Sequence, residues 1–149
     1  MKRYYGAYGS NLNLGQMKVR CKGSRLVGST SLEGYELLYK GSKSGSYLTV
    51  EKKEGSNVPL GIFEVTDEDE RMLDIYEGYP SFYYKKSFKL DVNGELKEVF
   101  IYIMDEKRAF GLPSNRYVEI CKEGYDDFGF DKAILDKAYE RTKLELKGL

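Results

Sequence analysis

The stretch Tyr8-Gly9-Ser10-Asn11-Leu12-Asn13 closes a short apolar run, residues 4–8, and leads into a helix-like segment, residues 14–20. A glycine at such a junction admits a φ > 0 turn and removes the side chain that would keep a ligand off the main chain. The amides of Ser10, Asn11 and Leu12 then lack strand partners and can point at a carboxylate or phosphate, which makes the loop a candidate pocket floor. The same residues also fit a plain strand-to-helix turn in which Ser10, Asn11 or Asn13 caps the helix. A second site is needed before the loop implies a function.

Glu77 offers one. In Leu73-Asp74-Ile75-Tyr76-Glu77-Gly78-Tyr79-Pro80-Ser81-Phe82-Tyr83 the glutamate falls in the last turn of a helix, where the dipole is negative and an acid costs stability. Dipole and desolvation by neighbouring rings both raise its proton affinity, toward the pKa that a general acid/base needs near neutrality. The plainer alternative is a surface glutamate ahead of a C-cap glycine. Tyr79-Pro80-Ser81 reads as a turn back into strand, so Tyr83 or Tyr84 can bring a hydroxyl beside Glu77. Pro113-Ser114-Asn115-Arg116-Tyr117 opens another helix whose amides form a positive end, with Tyr117 one turn in. Ordinary packing also accounts for these tyrosines.

The rest of the composition narrows the chemistry. Histidine is absent, which removes nucleophile-His schemes and the common zinc sites, and leaves Asp, Glu, Lys, Tyr or Cys to carry protons. Cys21 and Cys121 lie far apart in the chain and form neither a metal-binding spacing nor a redox pair, so both read as reduced and structural, and no metal is expected. The 14 tyrosines name no ligand by their number alone. Lys plus Arg and Asp plus Glu are both 24, so no net field gathers nucleic acid or an anionic membrane. No apolar run approaches the roughly 18 residues of a membrane span, and the start lacks the apolar core of a secretory signal. A cytoplasmic protein is expected.

The elements that must position these residues follow from the pattern of apolar runs and breakers. The 149 residues make one domain, 1–149, long enough to bury roughly two thirds of its surface. Residues 25–40 read as strand bent at Gly28 and Gly34, and residues 41–46 as a flexible connection. Residues 47–53 and 58–65 read as strands joined in the manner of a hairpin by Glu54-Gly55-Ser56-Asn57. Thr66 caps a helix that begins with four acids and stops at Gly78. Residues 82–92 and 95–104 flank Asn93-Gly94, the strongest short hairpin signal in the chain. Asp131 opens a last helix to about residue 146, with Ile134, Leu135, Ala138 and Leu144 facing inward. The order predicts an α+β domain with a strongly curved or closed sheet.

At these residues the chain resembles the gamma-glutamylcyclotransferase family, including the small AIG2-like bacterial proteins. The first loop, continuing through Met17, Arg20 and Cys21, is similar to the family's opening signature. Leu73-Asp74 to Glu77-Gly78-Tyr79-Pro80 with the downstream tyrosine resembles its catalytic segment, and Pro113-Ser114, Tyr117, then Gly124-Tyr125 to Phe128-Gly129 resemble its closing one. The order of the motifs is more specific than any one of them.

The resemblance implies a mixed, largely antiparallel β-barrel flanked by helices, with a cavity floored by the first loop. It implies that the loop amides hold the α-carboxylate of a γ-glutamyl group. The residue matched by Glu77 takes a proton from the substrate α-amine as it attacks the γ-carbonyl, then protonates the departing amine and releases 5-oxoproline. The substrate carries its own nucleophile, so ring closure needs positioning and one proton carrier, and no cofactor is expected. Tyr8, Gly9, Ser10, Asn11 and Leu12 become the carboxylate cradle, Glu77 the acid/base, and Tyr83 and Tyr117 pocket hydroxyls. Family members often carry Tyr-x-Arg after the glutamate; here Tyr83-Tyr84-Lys85 replaces the arginine with a poorer bidentate partner. Residues 41–46 are candidates for the leaving-group side. A small-molecule γ-glutamyl partner is expected, with no nucleic acid and no membrane, and a homodimer is compatible with the family. The competing reading is a non-catalytic metabolite-binding module on the same fold.

Overall fold

Six strands form one curled sheet, and four helices pack around it, in a computed structural model that describes residues 2–42 and 45–148. The strands are β1 (Arg3–Ala7), β2 (Arg25–Ser42), β3 (Gly45–Val65), β4 (Tyr83–Val92), β5 (Glu95–Met104) and β6 (Ala109–Phe110), in the order β4-β5-β1-β3-β2-β6. The helices are α1 (Leu14–Arg20), α2 (Asp67–Glu77), α3 (Asn115–Phe128) and α4 (Ala133–Lys147). β1 runs parallel to β5, with Tyr4 beside Val99, and antiparallel to β3. The other ladders are antiparallel, so the mixed α+β expectation holds, in the form of a half-barrel.

The curl comes from the two longest strands. Register shifts between Leu26 and Gly28 and between Glu33 and Tyr35 bend β2 near the two predicted glycines. Opposite the second bend, Gly55 takes φ 86° in β3. The expected hairpin at Glu54-Gly55-Ser56-Asn57 is therefore a bend within a single strand. Both flanking runs pair with the same long β2, Leu37 with Val50 and Leu32 with Val58, so the chain never turns back on itself there. The reversal lies instead at the segment read as a flexible connection, where Ser42 pairs with Gly45; Lys43 and Ser44 fall outside the described residues.

The bend brings β2 over β4, where the Tyr35 and Phe88 rings meet edge to face at 5.6 Å, and Asn93 Nδ2 donates to the Val27 carbonyl at 3.1 Å. Thr49 Oγ1 accepts the Met104 amide at 3.0 Å and ties the start of β3 to the end of β5. The core lies within the curl and under the helices, with Tyr5, Leu60, Ile62, Val99 and Ile101 nearly inaccessible.

Local signals set the helix ends. Thr66 and Asp69 form a reciprocal capping box at α2, and Asp69 Oδ1 also accepts the Gly23 amide at 3.0 Å, which joins α2 to the end of α1. Gly78 ends α2 with φ 67°. Ser114 caps α3, and Asp131 Oδ1 accepts the Ala133 amide at the start of α4. Leu144 does not face inward; it is 67% exposed. The buried stripe of α4 runs Leu135, Ala138, Thr142, a helical repeat that Leu144 falls outside, and Thr142 Oγ1 accepts the Tyr39 amide at 3.1 Å. Cys21 and Cys121 are both free and buried, and burial pushes each thiol up to about 12.

Candidate active site

The first loop is pinned from several sides. Asn13 caps α1 by accepting the Gln16 amide at 3.1 Å, and its Nδ2 donates to the Ile120 carbonyl of α3 at 3.1 Å. Gly124 of α3 packs so close that a Cβ there would sit 2.5 Å from the Asn13 nitrogen. Residues Ser10–Leu12 make one turn of 3-10 helix, in which the Leu12 amide donates to the Gly9 carbonyl at 3.0 Å. The amides ahead of that first helical bond are those of Ser10 and Asn11.

Two expectations for the loop change. Gly9 has φ −125°, so no left-handed turn is involved; the glycine is required by close approach, since a Cβ would lie 3.0 Å from the Tyr117 hydroxyl. Leu12 does not line the cavity. Its amide is used within the turn, and its side chain is fully buried beneath Gly61 and Gly124.

Tyr8, Gly9, Ser10, Asn11, Glu77, Tyr83 and Tyr117 all border one cavity of about 30 Å³ at the end of the curl where β1 and β5 finish. Glu77 is the last residue of α2, partly buried, with Oε2 3.5 Å from Asn11 Nδ2. Burial pushes its carboxyl up to about 8, and the Arg20 guanidinium opposes that rise. Desolvation is thus the dominant cause among those anticipated for a raised carboxyl. Arg20 donates to Asn11 Oδ1 and to Gln16 Oε1, and its guanidinium lies 3.4 Å from the Tyr76 ring centroid.

The tyrosines are held by backbone. Tyr83 Oη donates to the Leu48 carbonyl at 2.8 Å, and Tyr117 Oη accepts the Leu48 amide at 3.2 Å. Tyr8 Oη donates to the Tyr102 carbonyl at 2.6 Å. Burial drives the phenols of Tyr8, Tyr83 and Tyr117 far above their ordinary range, so they remain protonated hydroxyls. Between the two tyrosines left open by sequence, strand alternation turns Tyr83 inward, whereas Tyr84 is 42% exposed.

Sequence reasoning missed Tyr5, Leu48 and Tyr102, which complete the lining. Asn11 Nδ2 donates to Tyr5 Oη at 2.9 Å, and Tyr102 Oη donates to Asp74 Oδ1 at 2.6 Å. Only the inward phase of β1 and β5 marks these tyrosines, and that phase also marks plain core. Lys85, which stands where the family often has arginine, does not border the cavity. It pairs with Glu70 at 2.6 Å and with Asp74 at 3.0 Å.

The arrangement brings together the loop residues Ser10 and Asn11, a carboxyl able to exchange a proton near neutrality, and the hydroxyl of Tyr117, which accepts from backbone where those of Tyr8 and Tyr83 already donate to it. Residues 5–123 match the family model described as gamma-glutamyl cyclotransferase, AIG2-like, and the chain belongs to this family. Among solved structures, the human uncharacterized protein loc79017 superposes with a TM-score of 0.81 at 21% identity, over 92% of this chain and 86% of that one. A protein described as a gamma-glutamyl cyclotransferase gives 0.79 at 21% identity, over 96% and 87%. A mouse AIG2-like protein gives 0.57 at 16% identity, over 78% and 82%. At these identities the likeness establishes the fold. No curated protein sequence matches the chain.

Proposed function

We propose that the protein cyclises a γ-glutamyl amide or γ-glutamylamine to 5-oxoproline and releases a free amine, with Glu77 as the acid/base. The observation that carries this reading is that Glu77 lines one hollow together with Gly9, Ser10 and Asn11 of the first loop. In this reading the amides of Ser10 and Asn11 receive the α-carboxylate of the substrate.

The neutral α-amine of the substrate attacks the γ-carbonyl carbon and closes the five-membered ring, and ionised Glu77 takes one of its two protons as the bond forms. Protonated Glu77 then returns the proton to the departing nitrogen as the C–N bond breaks, so one residue serves both halves of the cycle. A raised pKa suits that double role. Holding amine and carbonyl together supplies much of the rate, because the nucleophile is already part of the substrate. Tyr117, whose hydroxyl accepts from the Leu48 amide, turns its proton toward the reacting carbonyl, while Tyr83, which donates to the Leu48 carbonyl, walls the same end of the cavity.

Incubation with a panel of γ-glutamyl compounds is expected to yield 5-oxoproline, and Glu77→Gln to lower its release by at least about 10²-fold with the fold intact by circular dichroism. An inert panel or an unaffected variant defeats the reading.

A further inference from the structure

Arg20 ends α1 and does not border the cavity, yet its guanidinium touches three of the elements that build the site. It donates to Asn11 Oδ1 in the first loop and to Gln16 Oε1 at 3.0 Å one turn back in α1, and it lies 3.4 Å from the ring centroid of Tyr76 in α2. Tyr76 immediately precedes Glu77, and its hydroxyl stands 3.1 Å from Ser10 Oγ, so the last turn of α2 is joined to the loop twice on this side. Among the described residues, the hydrogen-bond partners of Arg20 are these two amide side chains rather than a carboxylate.

The chemistry of the guanidinium sets the direction of the chain that follows. It carries five N–H donors and no acceptor, so the Asn11 atom that faces it must be the oxygen. Asn11 Nδ2 is thereby turned the other way, to Tyr5 Oη at 2.9 Å and Glu77 Oε2 at 3.5 Å. An amide free to reverse would bring its oxygen to that place, where it opposes an ionised carboxylate and accepts from a protonated one. The remaining groups around Glu77 do not take over this task. Tyr5 and Tyr8 from β1, Tyr83 from β4, Tyr102 from β5 and Tyr117 from α3 border the same cavity, and burial keeps all five as neutral hydroxyls. Asp74, one turn earlier in α2, is engaged by Tyr102 and Lys85. Arg20 is the group whose positive charge favours the ionised carboxyl.

We infer that Arg20 is a positioning residue for the acid/base: it holds the oxygen of Asn11 so that the amide nitrogen faces Glu77, and it packs on Tyr76 to fix the turn of α2 that ends in Glu77. This rests on the reading of Glu77 as the proton carrier. Arg20 acts through Asn11 and through its charge, without contact with the substrate.

The test is a pair of titrations on the wild type, Arg20→Met and Arg20→Lys. In the first, kcat/KM for 5-oxoproline release from the most active γ-glutamyl compound of the panel is followed between pH 6 and 10; the substrate amine titrates identically with all three proteins. Arg20→Met is expected to move the acidic limb upward by about one pH unit, read as a loss of roughly tenfold at pH 7 that recovers to within a few-fold at the alkaline plateau. Arg20→Lys keeps the charge and loses the planar fork, and is expected to fall between them. A loss equal at every pH overturns the inference, and so does a lysine variant that matches the wild type. In the second titration, the Glu77 carboxyl is followed by NMR in protein labelled with carbon-13 at its glutamate carboxyls, with Glu77→Gln assigning the signal. That midpoint needs no substrate, which separates this inference from the reaction itself. An upward move in Arg20→Met supports it even if the wild type releases no 5-oxoproline, and an unmoved midpoint overturns it. If Arg20→Met does not fold, Arg20→Lys carries both readings: a midpoint above that of the wild type supports the role, and equality overturns it.

Discussion

Glu77 Oε2 and Asn11 Nδ2 stand 3.5 Å apart, a direct approach between the last residue of α2 and the first loop. The contact is long for a hydrogen bond and sits at the edge of what would hold an ionised carboxylate. Asn11 commits the same nitrogen to Tyr5 Oη at 2.9 Å and its oxygen to Arg20. The amide side chain is therefore fixed by other partners and offers Glu77 little, and Glu77 keeps a proton that a well-solvated glutamate would lose.

That balance sets a pH profile. With the carboxyl at about 8, only a small fraction of the free enzyme carries the ionised base at neutrality. If deprotonation of the substrate amine limits the reaction, kcat/KM rises about tenfold per pH unit below that value and levels above it. Initial rates of 5-oxoproline release between pH 6 and 9 measure this, and a profile already level at pH 6 would contradict it.

The same shift makes Glu77 a stability cost at alkaline pH. Its folded pKa is raised above that of the unfolded chain, so the protonated form favours folding. That contribution is complete below the ordinary carboxylate range, declines as pH rises, and is lost through about 8. Glu77→Gln has no such proton to lose. The Tm of the variant minus that of the wild type should grow between pH 5 and pH 9, as read by calorimetry, and a constant difference would mean that Glu77 is solvated.

Gly9 tests close approach. An alanine there puts a Cβ 3.0 Å from the Tyr117 hydroxyl, which already accepts the Leu48 amide. Gly9→Ala is expected to lower kcat/KM by about 10- to 100-fold by shifting the loop amides. In a Tyr117→Phe background, where the obstructing oxygen is gone, the same substitution should cost clearly less; additive losses across the double-mutant cycle would point to backbone conformation instead.

Tyr83 and Tyr84 provide a paired test. Tyr83→Phe leaves the buried Leu48 carbonyl without its donor and should destabilise the fold by about 1–3 kcal/mol. It also removes a hydroxyl from the cavity, so kcat/KM should fall. Tyr84, 42% exposed, should tolerate the same change in both denaturant melts and activity. Reversed outcomes would place the wrong face of β4 toward the site.

What the sequence made legible was mostly local. The Thr66 cap, the Gly78 stop, Ser114 at α3 and the Asn93-Gly94 turn each follow from a few neighbouring residues, and each forms as expected. The misreadings arose where distant pairing decides. Gly55-Ser56 carries the chemistry of a hairpin turn, yet an 18-residue β2 long enough to pair with both flanking runs converts it into a bend. At the site, Glu77 and the loop were visible because their residue types are costly or permissive where they stand. Tyr5 and Tyr102 were not, because an inward tyrosine on a strand looks like core until its hydroxyl is seen reaching Asn11 or Asp74. Leu48 takes part through its backbone, which carries no side-chain signature at all.

Gly124 gives a prediction opposite in sign to helix propensity. It lies within α3, where alanine is intrinsically the better helix former by about 1 kcal/mol. A Cβ at this position would meet the Asn13 nitrogen at 2.5 Å and the Leu12 carbonyl carbon at 2.7 Å. Those are backbone atoms of the first loop, and the loop cannot yield, because Asn13 is bonded both to α1 and to the Ile120 carbonyl. Either α3 moves away from the sheet or the Ser10 and Asn11 amides move with the loop. Gly124→Ala should therefore destabilise the protein by about 1–3 kcal/mol in denaturant titration despite the gain in propensity. It should also weaken binding of 5-oxoproline, whose carboxylate would occupy the displaced amides. A stabilised variant with unchanged binding would show that the packing of α3 against the loop does not hold the cradle in place.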